Sequence, residues 1–127
     1  MLVNTPISLG ELVDKISILM VKQKNIKNQN KLNEVNKELK YLQETLISHI
    51  NKDEINYFLN RLIDINSKLW KIEDDIRNCE RNKKFDQKFI DLARNVYFTN
   101  DKRASIKLDI NNTFGSELVE VKSYEEY

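Results

Sequence analysis

DEINYFLNRLIDINSKLWKIEDDIRNCER, residues 53–81, decides how this chain folds. Its apolar residues stand at Ile55, Phe58, Leu62, Ile65, Leu69, Ile72, Ile76 and Cys79. The steps alternate three and four, the spacing of one stripe along a helix. No Gly or Pro interrupts the run, so the spacing predicts one helix over 54–81, about 42 Å long at about 1.5 Å per residue. A second, partly charged stripe at Trp70, Asp74, Arg77 and Arg81 gives that helix contacts on two sides.

Upstream, Ser8 and Glu11 form a capping box after Pro6, and the stripe Leu9, Leu12, Ile16, Leu19 and Ile26 predicts a helix over 9–27, with Gln23 in the slot between. Leu32, Val35, Leu39, Leu42 and Leu46 predict a second helix over 30–50, nearly all polar outside one narrow seam. These two make an antiparallel hairpin. Asp53 is the expected N-cap of the central helix. Downstream, Asn82, Lys83 and Lys84 turn the chain and Asp86 caps a fourth helix over 86–114. Its stripe, Phe89, Leu92, Val96, Ile106, Ile110 and Phe114, carries Thr99 and Arg103 where apolar residues are due. The period keeps phase through them, which favours one helix over two broken at 99–101, and Gly115 takes the left-handed position that ends it. Residues 116–127 have no helical period and form an irregular tail.

The expected fold is therefore all-α: an elongated antiparallel bundle of two hairpins forming a single domain over 1–127. With 2 Gly and 1 Pro in 127 residues the chain has little turn chemistry outside its helices. A net charge of +1 provides no field to attract nucleic acid. No run reaches the roughly 18 apolar residues of a membrane span. The single Cys79 lies on the apolar stripe and has no second thiol, and the start of the chain lacks a signal-peptide pattern, so a cytoplasmic protein is expected. Heavy use of Asn, Ile and Lys matches an AT-rich coding bias.

A compact domain of this length has a radius of gyration of about 14 Å, hence a diameter of about 36 Å. Helices of about 42 Å must protrude from it. Wet apolar layers at Ile76, Cys79, Phe85 and Phe89 would each cost about 1.5 to 3 kcal/mol, and a second copy of the chain is the simplest cover. A homodimer is expected on that ground.

Pairing the two long helices about Lys83 and Lys84 puts Arg94 beside Glu73 and Arg103 beside Asp64, so the polar layer finds carboxylates. The i to i+4 spacing of Glu73 and Arg77 also fits a surface ion pair. A sharper reading gathers Glu73, Asp74 and Asp75 with Arg77, Arg94 and Arg103 into a pocket for an anionic or sugar-like ligand. Against an enzyme, the chain has no glycine-rich phosphate loop, no metal-spaced His or Cys pair around its lone His49, and no Ser or Cys with a base. No metal and no cofactor is expected.

Four segments carry a resemblance: ISLGELVDKISIL (7–19), LWKIEDDIR (69–77), FIDLARNVYFTNDKRASIK (89–107) and GSELVEVKSY (115–124). Together they make the chain similar, over nearly its full length, to a small bacterial and phage family catalogued only as a domain of unknown function. The resemblance implies a compact all-helical cytosolic protein. If its motifs mark a site, the matching positions are Asp14, Lys15, Glu73, Asp74, Asp75, Arg77, Arg94, Tyr97, Asn100, Asp101, Arg103 and Lys107, which include the polar layer found from the helix register. The leading functional expectation is a homodimeric binding or assembly module. The alternative is a small enzyme or accessory subunit acting on a phosphate- or carboxylate-bearing metabolite at that layer.

Overall fold

A computed structural model describes residues 1–127. It contains four helices and no strand: α1 (Leu9–Asn25), α2 (Gln29–Ile47), α3 (Lys52–Arg81) and α4 (Gln87–Phe114). Each starts on the cap chemistry its sequence supplies. Ser8 Oγ accepts from the Glu11 N–H at 3.1 Å, Asn28 Oδ1 from Lys31 N–H at 3.0 Å, and Asp86 Oδ1 from Phe89 N–H at 3.4 Å. The N-cap of α3 is Asn51, whose Oδ1 accepts from the Asp53 N–H at 2.9 Å, so Asp53 lies in the first turn, where its charge favours the helix dipole. The first two helices are shorter than the apolar period alone allows. At Asn25 the side chain turns back to bond the Val21 carbonyl, and Ile26 is already extended. At the end of α2, Ser48 and His49 fold back on the helix carbonyls.

The fourth helix is continuous through Thr99, Asn100 and Asp101. It ends at Gly115 with φ 66°, and the Ser116 N–H reaches the Asn111 carbonyl at 2.9 Å. The turn between α3 and α4 has the same geometry without a glycine. Lys83 has φ 52°, and Lys84 N–H bonds the Cys79 carbonyl at 2.9 Å.

Helix α1 is the hub. It packs against α2 on one side and against α3 and α4 on the other, while α3 and α4 form the long antiparallel hairpin. The pairs Gly10 with Asn111, Glu11 with Lys107 and Asp14 with Arg103 show α1 running antiparallel to α4. Val13, Ile16, Ile55, Leu62 and Ile110 are fully enclosed between these elements. The far end of the α3–α4 hairpin has no such cover: Phe85 is 52% exposed and Ile90 47%, with Phe85 edge-on to Phe89 at 5.2 Å.

Candidate functional site

The polar layer expected between α3 and α4 is built instead around α1. Asp14 is fully buried in the middle of that helix. Arg103 of α4 donates from Nε to Asp14 Oδ1 at 2.9 Å and from a terminal nitrogen to Oδ2, a bidentate clamp. Asn66 of α3 donates from Nδ2 to the same Oδ1 at 3.0 Å and to Ser17 Oγ at 2.7 Å. Ser17 in turn donates to the Asp14 carbonyl at 2.6 Å. Three helices thus meet on one carboxylate, and no buried side-chain polar atom of the molecule lacks a partner. The hydrogen bonds it donates to Asp14 hold the Arg103 guanidinium pKa above its ordinary value against the opposing effect of burial.

One turn further along α4, Lys107 is buried and bridges Glu11 and Glu120, each at 2.7 Å. Burial pushes its ammonium pKa down, but the bonds to the two carboxylates outweigh that and hold it above the ordinary lysine value. The same contact holds Glu120 below the usual carboxylate range. Beside it, the Asn111 Oδ1 accepts from the Gly10 N–H at 2.7 Å. The backbones approach so closely here that a Cβ on Gly10 would lie 2.5 Å from the Lys107 carbonyl oxygen.

Lys107 also anchors the C-terminal segment 116–127, which turns back over α4. At its near end Ser116 Oγ accepts from the Leu9 N–H at 3.2 Å. At its far end the Tyr127 ring packs on Phe98 (centroids 4.9 Å apart) and Tyr97 (5.5 Å), and its hydroxyl donates to Asp101. That bond pushes the Tyr127 phenol up to about 12. The segment is longer than the path it follows. Extended, it would reach about 36 Å at about 3.3 Å per residue. Between Asn111 and Tyr97, α4 covers only about 21 Å. Between the segment and α4 lies a cavity of about 1070 Å³, lined by residues of both. Val96, Ala104 and Leu108 line its α4 side, together with Tyr97, Asn100, Asp101 and Lys107.

Of the residues expected to form one site, the structure brings Tyr97, Asn100, Asp101 and Lys107 to this cavity and puts Arg103 one turn away on Asp14. The rest lie elsewhere. Arg103 pairs with Asp14 of α1 and forms no pair with Asp64, because α1 packs into the groove between α3 and α4. Arg94 pairs with no carboxylate; its guanidinium lies 5.8 Å from the Phe98 ring centroid. Glu73 is taken by Arg77 at 2.9 Å, the surface i to i+4 pair, and Asp75 by Lys71 at 3.1 Å. Lys15 faces α2, where it meets Glu38 at 3.0 Å. Asp74 and Trp70 flank a separate shallow recess with Lys24. Sequence reasoning missed Asn66, Ser17, Glu11, Glu120 and Tyr127. A signal for Ser17 exists: Gly10, Asp14, Ser17 and Val21 run in steps of four, three and four along α1, a second face of mostly small and polar residues suited to close helix approach.

Fold and site together define a small all-helical bundle whose hub helix carries a buried carboxylate and whose C-terminal segment closes a cavity over its last helix. The chain belongs to the family of unknown function DUF6165, whose model matches residues 3–127. No curated protein matches it, and no solved structure does.

Proposed function

We propose that the protein is a homodimeric binding or assembly module of the bacterial or phage cytoplasm, with its ligand site in the cavity between α4 and the segment 116–127. The observation that carries the reading is the division of labour among the charges. Asp14 is committed to Arg103, and Lys107 to Glu11 and Glu120, which locks the helices in register. The open space lies beside that lock, under a segment tied down at its two ends. Pockets of this size, part apolar and part polar, are where ligands enclose most of their surface.

Two further features support the dimer and the compartment. Phe85, Phe89 and Ile90 leave apolar surface at the far end of the α3–α4 hairpin, where no other helix reaches, and burying such a side chain contributes about 1.5 to 3 kcal/mol. Cys79 is buried and unpaired, as in a reducing compartment, and no helix is long and apolar enough to cross a membrane. The alternative, a small enzyme or accessory subunit acting on an anionic metabolite, has less support. Arg103 and Lys107, the cations nearest the cavity on α4, already face carboxylates.

Light scattering on the full chain tests the dimer. The mass expected is twice 15.1 kDa, falling to the single-chain mass in the Phe85→Ser, Ile90→Ser double variant with its helical signal intact. A single-chain mass for the parent at micromolar concentration would overturn the dimer.

A further inference from the structure

The charge and aromatic content of the cavity specify what it would hold. Asp101, Glu120, Glu125 and Glu126 line it together with Lys107 and Lys122. Only Glu120 is ion-paired, with both lysines, so the other three carboxylates leave the space net negative. Three tyrosines, Tyr97, Tyr124 and Tyr127, share the lining. An aromatic face beside a carboxylate attracts a cation by quadrupole and by charge. The wall already binds one ammonium in this way: Lys122 Nζ lies 5.7 Å from the Tyr124 ring centroid and 3.5 Å from Glu120 Oε1.

We propose that this cavity is a binding site for an organic ammonium ion carrying an apolar body, the cationic head held between the tyrosine rings and the carboxylates that no lysine pairs, and the body laid against Val96, Ala104 and Leu108 of α4. This rests on the reading that the cavity is the ligand site, and goes beyond it by naming the ligand class. The apolar body follows from size and lining: about 1070 Å³ far exceeds a small headgroup alone, and Val96, Ala104 and Leu108 give the α4 side apolar surface. Simple anions are disfavoured by the same carboxylates.

The test is a titration of the full-length, isotope-labelled chain, followed by amide chemical shifts, with choline and hexyltrimethylammonium as cationic probes and citrate and inorganic phosphate as anionic ones. The expected result is saturable shifts in 96–108 and 120–127 with both cations. Hexyltrimethylammonium should bind at least fivefold tighter than choline, and neither anion should shift those residues. The Glu125→Gln, Glu126→Gln double variant, which removes two charges and leaves both the Lys107 bridge and the Tyr127 bond to Asp101 in place, should weaken hexyltrimethylammonium at least fivefold. Glu38→Gln on α2 should leave it unchanged. If the anions shift those residues and the cations do not, the ligand class is wrong while the cavity stands as a site. If no probe does so up to 10 mM, on the order of ten-thousandfold above a micromolar site, the inference and the reading it rests on both fail. Cation binding that the double variant leaves unchanged would also overturn the inference.

Discussion

Arg103 and Asp14, 89 positions apart in the chain, meet through two hydrogen bonds at the centre of the molecule, and this pair joins the N-terminal hairpin to the C-terminal one. The two sides are not equally enclosed: the Asp14 side chain is 1% exposed and the Arg103 side chain 27%. An isolated buried charge is costly, whereas one that reaches water is not.

That asymmetry orders two truncations. Arg103→Ala strands a fully buried carboxylate with Asn66 as its only side-chain donor, and should cost about 3 to 5 kcal/mol. Asp14→Ala frees a guanidinium that can turn toward solvent, and should cost less, about 2 kcal/mol. Urea unfolding of the two variants with equal m-values checks the order. Equal or reversed costs would mean that the carboxylate is better hydrated than its burial indicates.

Three backbone positions make a second comparison by thermal unfolding. Gly10→Ala should destabilise by about 2 kcal/mol or more despite the better helix propensity of alanine, because the added Cβ meets the Lys107 carbonyl oxygen at 2.5 Å. Gly115→Ala has open space and should lose only the left-handed penalty, about 1 kcal/mol. Lys83→Gly should gain about as much, since Lys83 already holds φ 52° at a helix end.

Acid should release the C-terminal segment before it unfolds the helices. The Glu120 pKa is lowered in the folded state, so its contribution is fully present above its ordinary value of 4.5 and is lost as pH falls below that, through the folded value. Near-ultraviolet dichroism from Tyr97, Phe98 and Tyr127 should weaken below about pH 4 while the far-ultraviolet helix signal persists. In Glu120→Gln that separate acid step should be missing.

Alkali reads the other end of the segment. The Tyr127 phenol, raised from 10.0 to about 12 by donating to Asp101, keeps its proton beyond the ordinary range, and the bond it makes is lost only as pH rises through the raised value. A spectrophotometric titration at 295 nm should show one tyrosine ionising near 12. Tyr127→Phe should remove that step alone.

Much of the fold is legible in the order of apolar residues. The stripes of α3 and α4 keep phase over their whole lengths, Ser8 and Asp86 cap as their side chains dictate, and Gly115 ends α4 where a left-handed residue is required. The site is less so, because stripe reasoning pairs neighbours in sequence. It joins α3 to α4 and hands Arg103 to Asp64, whereas α1 inserts Asp14 between them with Asn66. Helix periods do not encode which hairpin face meets which. The irregular 116–127 carries no period at all, so the Lys107 bridge to Glu120 and the seat of Tyr127 follow only from the fold.

The cavity exists only if that segment lies along α4. Nuclear Overhauser contacts between the rings of Tyr127 and Phe98, whose centroids are 4.9 Å apart, measure it directly. Strong ring-to-ring contacts at pH 7, absent at pH 3, are the expected result. Random-coil shifts for 118–127 at pH 7, with no contact to Phe98, would contradict it, since the cavity would then have no outer wall.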